Sequence, residues 1–152
     1  MMTIQIENKQ KRYKISKRNI RHTVNNLLKC LNCQHKEVSI SFVDDSVIRE
    51  LNNQYLGKNK PTNVLSFSLQ EGKFTEINPN ILGDIVISID TAERDALKGS
   101  LTISQEIDFL IIHGLLHLLG YNHENTSREE TNKMQNMEKM LFKILHQYDQ
   151  IS

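Results

Sequence analysis

The sequence predicts an α+β fold in which a small mixed sheet of about four strands packs with about five helices. The chain has 152 residues and is 38% hydrophobic, which suits one core of ordinary size. Segments with apolar residues at every second position alternate with segments of helical spacing. No repeat or Pro/Gly/Ser linker divides the chain. We therefore expect residues 1–152 to form a single domain.

The first segments predict a hairpin at one edge of the sheet, followed by a helix. Thr3 to Glu7 and Tyr13 to Ile15 indicate two short paired strands. Ser16 is a suitable N-cap, and an apolar stripe follows it at helical spacing. We expect this helix to reach about Leu31. Its stripe consists of Ile20, Val24, Leu27, Leu28 and Leu31.

The middle of the chain predicts a strand, a helix, two more strands and a short helix. Period-two alternation and β-branched residues indicate the strands. Asp44 or Asp45 is suited to cap the first helix, and Lys98 with Gly99 closes the second. In chain order, the predicted elements cover residues 38–43, 45–55, 63–69, 81–89 and 91–97.

Two longer helices are predicted in the last third of the chain. Thr102 and Gln105 have the spacing of a capping box, which opens a helix that we expect to reach Leu119. The last helix runs from Ser127 to Tyr148, and its apolar stripe favours a core face over a cofactor site. This stripe consists of Met134, Met137, Leu141, Ile144 and Leu145.

Three histidines lie where the first of these helices ends, in the segment HGLLHLLGYNH. Because residues four apart on a helix share a face, His113 and His117 can point their rings at one ion. Gly120 favours the left-handed conformation that ends a helix, so the chain can return with His123 as a third ligand. Three imidazoles suit Zn²⁺ and leave a fourth position open, which is typical of a catalytic zinc. We therefore predict one zinc ion per chain, at the end of a buried helix, although another divalent ion would also fit these donors.

The residue after the first histidine separates two classes of zinc enzyme. Peptidases with the pattern H-E-x-x-H-x-x-G-x-x-H carry a glutamate there, and it serves as the general base. This chain has Gly114 instead. A peptidase-like hydrolase is therefore the alternative interpretation. A glycine at this place also indicates close backbone packing or a bulky substrate.

Three segments also carry a resemblance to a known family. HGLLHLLGYNH resembles the signature H-G-x-L-H-L-x-G-Y-D-H, and residues 51–67 and 82–88 resemble two further blocks. The chain is on these grounds similar to the YbeY family of bacterial zinc-dependent endoribonucleases. The resemblance implies an α+β fold, zinc on the three histidines and cleavage of single-stranded RNA. It also implies a role in 3′-end maturation of small-subunit ribosomal RNA and in ribosome quality control.

The chain departs from the family pattern at four positions. Leu56 stands where the family has arginine, and Ser68 where it has proline; Asn59 and Asn122 replace aspartates. An arginine can bind a phosphate through two parallel hydrogen bonds, which a leucine cannot do. This loss keeps a third interpretation open, a non-catalytic ribosome assembly factor whose zinc stabilises the fold.

Basic residues supply two candidate RNA surfaces. Lys58 and Lys60, in the loop before the third predicted strand, are candidates for contacting RNA phosphates. The segment from Lys9 to Arg21, here called the basic segment, carries seven basic residues and no acidic one, in a chain of net charge +1. A small domain reads little RNA sequence by itself, so we expect the basic segment to dock on the small ribosomal subunit.

The sequence assigns no attacking group and no general base. Either water activated at the metal or the ribose 2′-hydroxyl would attack the phosphodiester. We consider two roles for Asp84. It either orients a ligand or accepts a proton, or it only caps the edge of a strand. Glu106 shares a helix face with His113 and His117, but it lies about 10 Å away along the helix axis and is not expected to bind the metal.

The composition indicates a cytoplasmic protein that has no membrane partner. The longest apolar stretch, Phe109 to Leu119, is 11 residues long and contains two histidines. A stretch of this length is too short to cross a bilayer. The N-terminal residues show neither the apolar core nor the cleavage site of a signal peptide.

Overall fold

The structure, a computed structural model, describes residues 4–69, 80–121 and 127–146. Within these ranges the chain forms four strands and five helices, which confirms the predicted α+β class. In chain order they are β1 (Ile4–Asn8), α1 (Lys17–Cys30), β2 (Glu37–Val43), α2 (Asp45–Leu56), β3 (Val64–Ser68), β4 (Ile81–Ser88), α3 (Ile89–Lys98), α4 (Ile103–Leu118) and α5 (Arg128–Leu145).

The four strands form one mixed sheet in the order β1-β2-β4-β3. β1, β2 and β4 run parallel, and Ile40 of β2 lies opposite Ile6 on one side and Ile85 on the other. β3 pairs with β4 in the antiparallel direction, with Ser66 opposite Ile85. β1 and β3 are therefore the two edges of the sheet, and they lie far apart.

The predicted N-terminal hairpin is wrong. β1 pairs in parallel with β2, and the stretch from Tyr13 to Ile15 forms no strand. The buried side chain of Gln10 orders this stretch instead. Its Oε1 accepts hydrogen bonds from the backbone N–H groups of Arg12 and Tyr13 at 2.9 and 3.0 Å, and its Nε2 donates to the Tyr13 carbonyl at 2.7 Å. These bonds satisfy backbone groups that a hairpin partner would otherwise have paired.

The core occupies both faces of the sheet. The larger apolar cluster joins Ile40, Ile85 and Ile87 of the sheet to helices α1, α3, α4 and α5. A smaller cluster on the other face joins Val86 of β4 to Ile48 of α2. The helix that carries two of the predicted metal ligands therefore packs on the more deeply buried face.

Side-chain caps explain where the helices begin. Three expected N-caps are present, and each side chain accepts a hydrogen bond from a backbone N–H in the first turn. α3 begins earlier than predicted because Ser88 caps it. The three expected caps are Ser16, Asp44 and Thr102, and Ser127 caps the last helix in the same way.

The apolar stripe of α5 is narrower than predicted. Met134 and Leu141 are buried, and Met137 and Leu145 pack partly against the core. Ile144, in the last turn, is 41% exposed. The helix ends at Leu145, and the predicted end at residue 148 lies outside the described residues. In the described part of the chain, no helix is long and apolar enough to cross a membrane.

A carboxylate at the start of α2 ties this helix to α3. Asp45 accepts hydrogen bonds from the hydroxyls of Ser88 and Thr91, both at 2.6 Å, and from Arg94 at 2.7 Å. Burial acts to raise the pKa of Asp45, but the three hydrogen bonds outweigh it and hold the pKa below its usual range. The network fixes the N-terminal end of α2, whose C-terminal end reaches the candidate site.

Candidate metal centre and cleft

α4 carries two of the three predicted metal ligands and ends just beyond them. Its first turn is closed by the predicted capping box between Thr102 and Gln105. At its other end, Gly120 has a φ of +99°, its N–H donates to the His117 carbonyl at 3.0 Å, and Tyr121 N–H donates to the Leu116 carbonyl at 2.9 Å. This pair of bonds is a Schellman motif. The chain therefore leaves the helix abruptly, within one turn of His117.

The rings of His113 and His117 converge. Their Nε2 atoms lie 3.1 Å apart, and the ring planes are inclined by 75°. Two nitrogens that bind one tetrahedral Zn²⁺ at about 2.0–2.1 Å are separated by about 3.3 Å. The pair therefore has the spacing of two adjacent ligands of a single ion.

The third predicted ligand, His123, lies outside the described residues, as does Asn122. Among residues 4–69, 80–121 and 127–146, no group of three or more His, Cys, Asp or Glu side chains gathers around one point. The structure thus places two of the three histidines and does not describe the third.

A carboxylate that the sequence analysis missed contacts the first histidine. Oε2 of Glu138 lies 2.9 Å from Nδ1 of His113, and Glu138 is only 7% exposed. A neighbouring carboxylate favours the tautomer with the hydrogen on Nδ1, in which the lone pair of Nε2 faces His117. A signal was present, because Glu138 interrupts the apolar stripe of α5 between Met134 and Leu141. A charged residue on a buried face needs a polar partner.

Gly114 allows α4 to pack against β4. A Cβ at this position would lie 2.9 Å from Cγ2 of Ile85, closer than real contacts allow. The backbone is also approached from β3, where Ser66 Oγ donates to the Gly114 carbonyl at 3.5 Å. A side chain here would force Ile85 to shift, and the glutamate that serves as the general base of a peptidase is absent from this position.

An open cleft of about 880 Å³ connects the two histidines with β3 and with the loop that follows α2. Lys58 and Lys60 line this cleft together with His113 and His117. Leu56 lines it as well and is 57% exposed. Side chains separated by more than 50 positions in sequence therefore share one cavity.

Hydrogen bonds order the loop that carries the two lysines. Gly57 ends α2 with a φ of +69°. The buried side chain of Asn52 donates to the Lys60 carbonyl at 2.9 Å, and Arg49 Nε donates to Asn59 Oδ1 at 2.9 Å. The cleft wall is therefore formed by a loop with defined internal contacts.

Three other groups considered from the sequence lie away from the histidines. Ile85 faces Gly114, so its exposed neighbour Asp84 lies on the opposite face of the sheet. Glu106 is buried near the start of α4, where burial and then the charge of Asp95 raise its pKa. The basic segment follows β1, at the sheet edge opposite β3, and does not line the cleft.

Fold and site together define a class of protein. A small α+β domain places two convergent imidazoles in a cleft that is also lined by lysines. Imidazoles can hold a metal ion and ammonium groups can hold phosphate, so these features suit a metal-dependent hydrolase with a phosphate-containing substrate.

Comparisons with known proteins identify the family within this class. Residues 5–146 match the family described as Endoribonuclease YbeY, and the chain belongs to this family. The Endoribonuclease YbeY of Syntrophus aciditrophicus is 58% identical over 147 residues, covering 97% of this chain and 92% of that protein. The protein of the same name from Syntrophotalea carbinolica is 43% identical over 142 residues, covering 93% and 95%.

A solved structure has the same fold. The solution structure of a Thermotoga maritima protein superimposes with a TM-score of 0.69 at 26% identity, and the match covers 97% of this chain and 91% of that one. Membership of an endoribonuclease family makes this protein a hydrolase of the nuclease class.

Proposed function

We propose that this protein is a zinc-dependent endoribonuclease that cuts single-stranded RNA during 3′-end maturation of small-subunit ribosomal RNA and in ribosome quality control. Residues 1–152 would act as one domain, in the cytoplasm, on RNA of the small ribosomal subunit. Family membership supports the nuclease activity. The observation that carries the proposal is the 3.1 Å approach of the His113 and His117 Nε2 atoms in a cleft shared with two lysines.

The proposed metal ligands are His113, His117 and His123. When bound, zinc supplies a Lewis acid that polarises a phosphoryl oxygen and lowers the pKa of water. Glu138 holds the ring of His113 so that Nε2 faces His117. No described side chain is assigned as the general base.

The two lysines are proposed to hold the RNA backbone. Lys58 and Lys60 lie on the ordered loop of the cleft wall, so their ammonium groups can meet phosphates on either side of the bond to be cut. A lysine binds phosphate as a point charge, without the paired hydrogen bonds of arginine. The two lysines would compensate in part for the loss of the guanidinium that Leu56 replaces.

Leu56 favours one rival function. An exposed leucine stands in the cleft at the position of the family arginine, so transition-state charge on a phosphate would be less well stabilised there. The rival is an assembly factor that binds ribosomal RNA without cutting it and whose zinc stabilises the fold.

The deciding experiment is an incubation of zinc-loaded protein with a single-stranded fragment of small-subunit ribosomal RNA. We expect cleavage by the wild type and a loss of at least about 100-fold for His113→Ala, because a metal ligand is removed. His22→Ala is the matched control, since His22 is exposed on α1, away from the cleft.

Two outcomes would contradict the proposal. Zinc-loaded wild type that binds the RNA and leaves it intact would support the assembly factor. Cleavage of an unstructured polypeptide in place of RNA would support a peptidase. Elemental analysis of the purified protein identifies the metal independently of activity.

A further inference from the structure

Two large apolar side chains are exposed on the wall of the cleft. Tyr55 is 60% exposed and Leu56 57% exposed, in the last turn of α2, and both line the cavity that contains the two histidines. Other exposed apolar residues of the described chain, such as Leu97 at 85%, do not line it. Apolar surface therefore faces the cleft next to the cationic loop.

The ring of Tyr55 is supported by a second aromatic side chain. Its centroid lies 5.2 Å from that of Phe67 on edge strand β3, and the ring planes are inclined by 60°. Phe67 is half-buried and packs against the smaller core cluster. An edge-to-face contact of this kind restrains an aromatic ring. Tyr55 is thus held by the protein and still open to the cleft.

We propose that Tyr55, supported by Phe67, is a stacking platform for an unpaired nucleobase of the RNA in this cleft. The inference rests on the proposed function and adds a base subsite to it. Lys58 and Lys60 follow Tyr55 within five positions and line the same cavity. An aromatic face beside ammonium groups complements the nucleotide unit, a flat base beside a phosphate.

The platform accounts for a preference for single strands. A base within a duplex is already stacked and paired, so its face is not available to a protein ring. Stacking is also tolerant of base identity, because every base has a π-face. The cleft would therefore select unpaired RNA without reading its sequence.

The test measures binding without cleavage, on full-length protein depleted of metal with a chelator. The probe is a short single-stranded oligoadenosine that carries fluorescent 2-aminopurine. We expect Tyr55→Leu to weaken binding about tenfold, since loss of one base–aromatic stack costs about 1–3 kcal/mol. Tyr55→Phe, which keeps the ring, is expected to bind like the wild type and to quench 2-aminopurine equally.

Two controls separate the platform from a general loss of structure. Leu97→Ala removes an exposed apolar side chain away from the cleft and is expected to leave the affinity unchanged. On an oligonucleotide of the same length with abasic sites, Tyr55→Leu and wild type are expected to bind equally. Unchanged melting temperatures would show that the variants are folded.

Equal binding of the oligoadenosine by wild type and Tyr55→Leu, or equal quenching by the two, would overturn the platform. This outcome is distinct from failure of the proposed function. Wild type that binds in a Tyr55-dependent manner but does not cut RNA after zinc is restored would support the base subsite and contradict the nuclease proposal.

Discussion

At the scale of single residues, the site depends on which nitrogen of each histidine faces its neighbour. A neutral imidazole has one N–H and one lone pair, and only the lone pair binds a metal. In His113, the 2.9 Å contact between Glu138 and Nδ1 favours the hydrogen on Nδ1 and the lone pair on Nε2. The carboxylate is buried on α5, 25 positions away in sequence, so it acts as a positioning residue that does not itself contact RNA.

Replacing Glu138 is expected to weaken metal binding. Glu138→Gln still accepts a hydrogen bond, and we expect an affinity loss of about 10-fold; Glu138→Ala should approach 100-fold, the range typical for such partners of metal-bound histidine. Competition with a chromophoric chelator measures the zinc affinity directly. Glu129→Gln, exposed on the same helix, is the control. Wild-type affinity in Glu138→Ala would contradict the positioning role.

Glu106 is expected to make the stability of the protein depend on pH. Burial, and then the charge of Asp95, raises its folded-state pKa above the unfolded value of about 4.3. The folded state therefore binds this proton more tightly, so the wild type gains stability as the pH falls through the raised pKa and loses it as the pH rises. Glu106→Gln removes this dependence.

We expect Glu106→Gln to be more stable than the wild type at neutral pH and equally stable below about pH 4. Urea denaturation at a series of pH values measures the difference in free energy of unfolding. Glu50→Gln, at an exposed position of α2, should show no such trend. A constant difference across the series would mean that the carboxyl of Glu106 is not the cause.

At the scale of the elements, the approach of α4 to β4 places the histidines at the cleft. Gly114 permits this approach, since a side chain there would meet Ile85. The helix is then stopped by the Schellman motif after His117. α4 packs closely on β4 and ends soon after His117. The two imidazole rings therefore reach the cleft, although most of α4 is buried.

Gly114→Ala is expected to destabilise the fold despite its better helix propensity. The substitution gains about 1 kcal/mol of propensity, whereas a forced contact in a packed core costs about 1–3 kcal/mol. We expect a net loss of up to about 2 kcal/mol, measured by urea denaturation. Ile85→Ala removes all three side-chain atoms that a Cβ at position 114 would meet, so the double variant should be less unstable than the sum of the single effects. If Gly114→Ala were more stable than the wild type, the contact with Ile85 would not limit the size of the residue at position 114.

At the scale of the whole molecule, the sheet separates two cationic surfaces. The cleft lysines lie by edge strand β3, and the basic segment follows edge strand β1. The Arg12 guanidinium is engaged with Glu93 through two hydrogen bonds of 3.0 Å. The five lysine and arginine side chains at positions 9, 11, 14, 17 and 18 are exposed, and Arg21 is half-buried. This arrangement suits a protein that docks with one edge and cuts at the other.

Neutralising the exposed part of the basic segment is expected to weaken binding to ribosomal RNA and to flatten its salt dependence. Each lost phosphate contact lowers the slope of log K against log salt by about 0.7–0.9. Cleavage of a short oligonucleotide, which reaches only the cleft, should not change. Binding isotherms at several salt concentrations test this, and an unchanged slope would refute docking. The substitutions are Lys11→Gln, Lys14→Gln, Lys17→Gln and Arg18→Gln, with Arg12→Gln as the control.

Local patterns in the sequence were sufficient to predict the helices, three of their N-caps and the α+β class. Ser16, Asp44 and Thr102 cap as expected because the bonds concerned join residues three positions apart. The spacing of His113 and His117 is likewise a property of one helix. Interactions within a single turn can be read from the residues that make them.

The parallel pairing of β1, the contact of Glu138 with His113 and the shared cleft were decided only by the tertiary structure. A short apolar strand does not specify its partner, and in this chain β1 pairs with β2 while the Gln10 side chain bonds the backbone of the stretch predicted as its partner. The other two features join segments more than 20 positions apart in sequence. Such contacts depend on how helices and sheet pack in space, and no local periodicity encodes that packing.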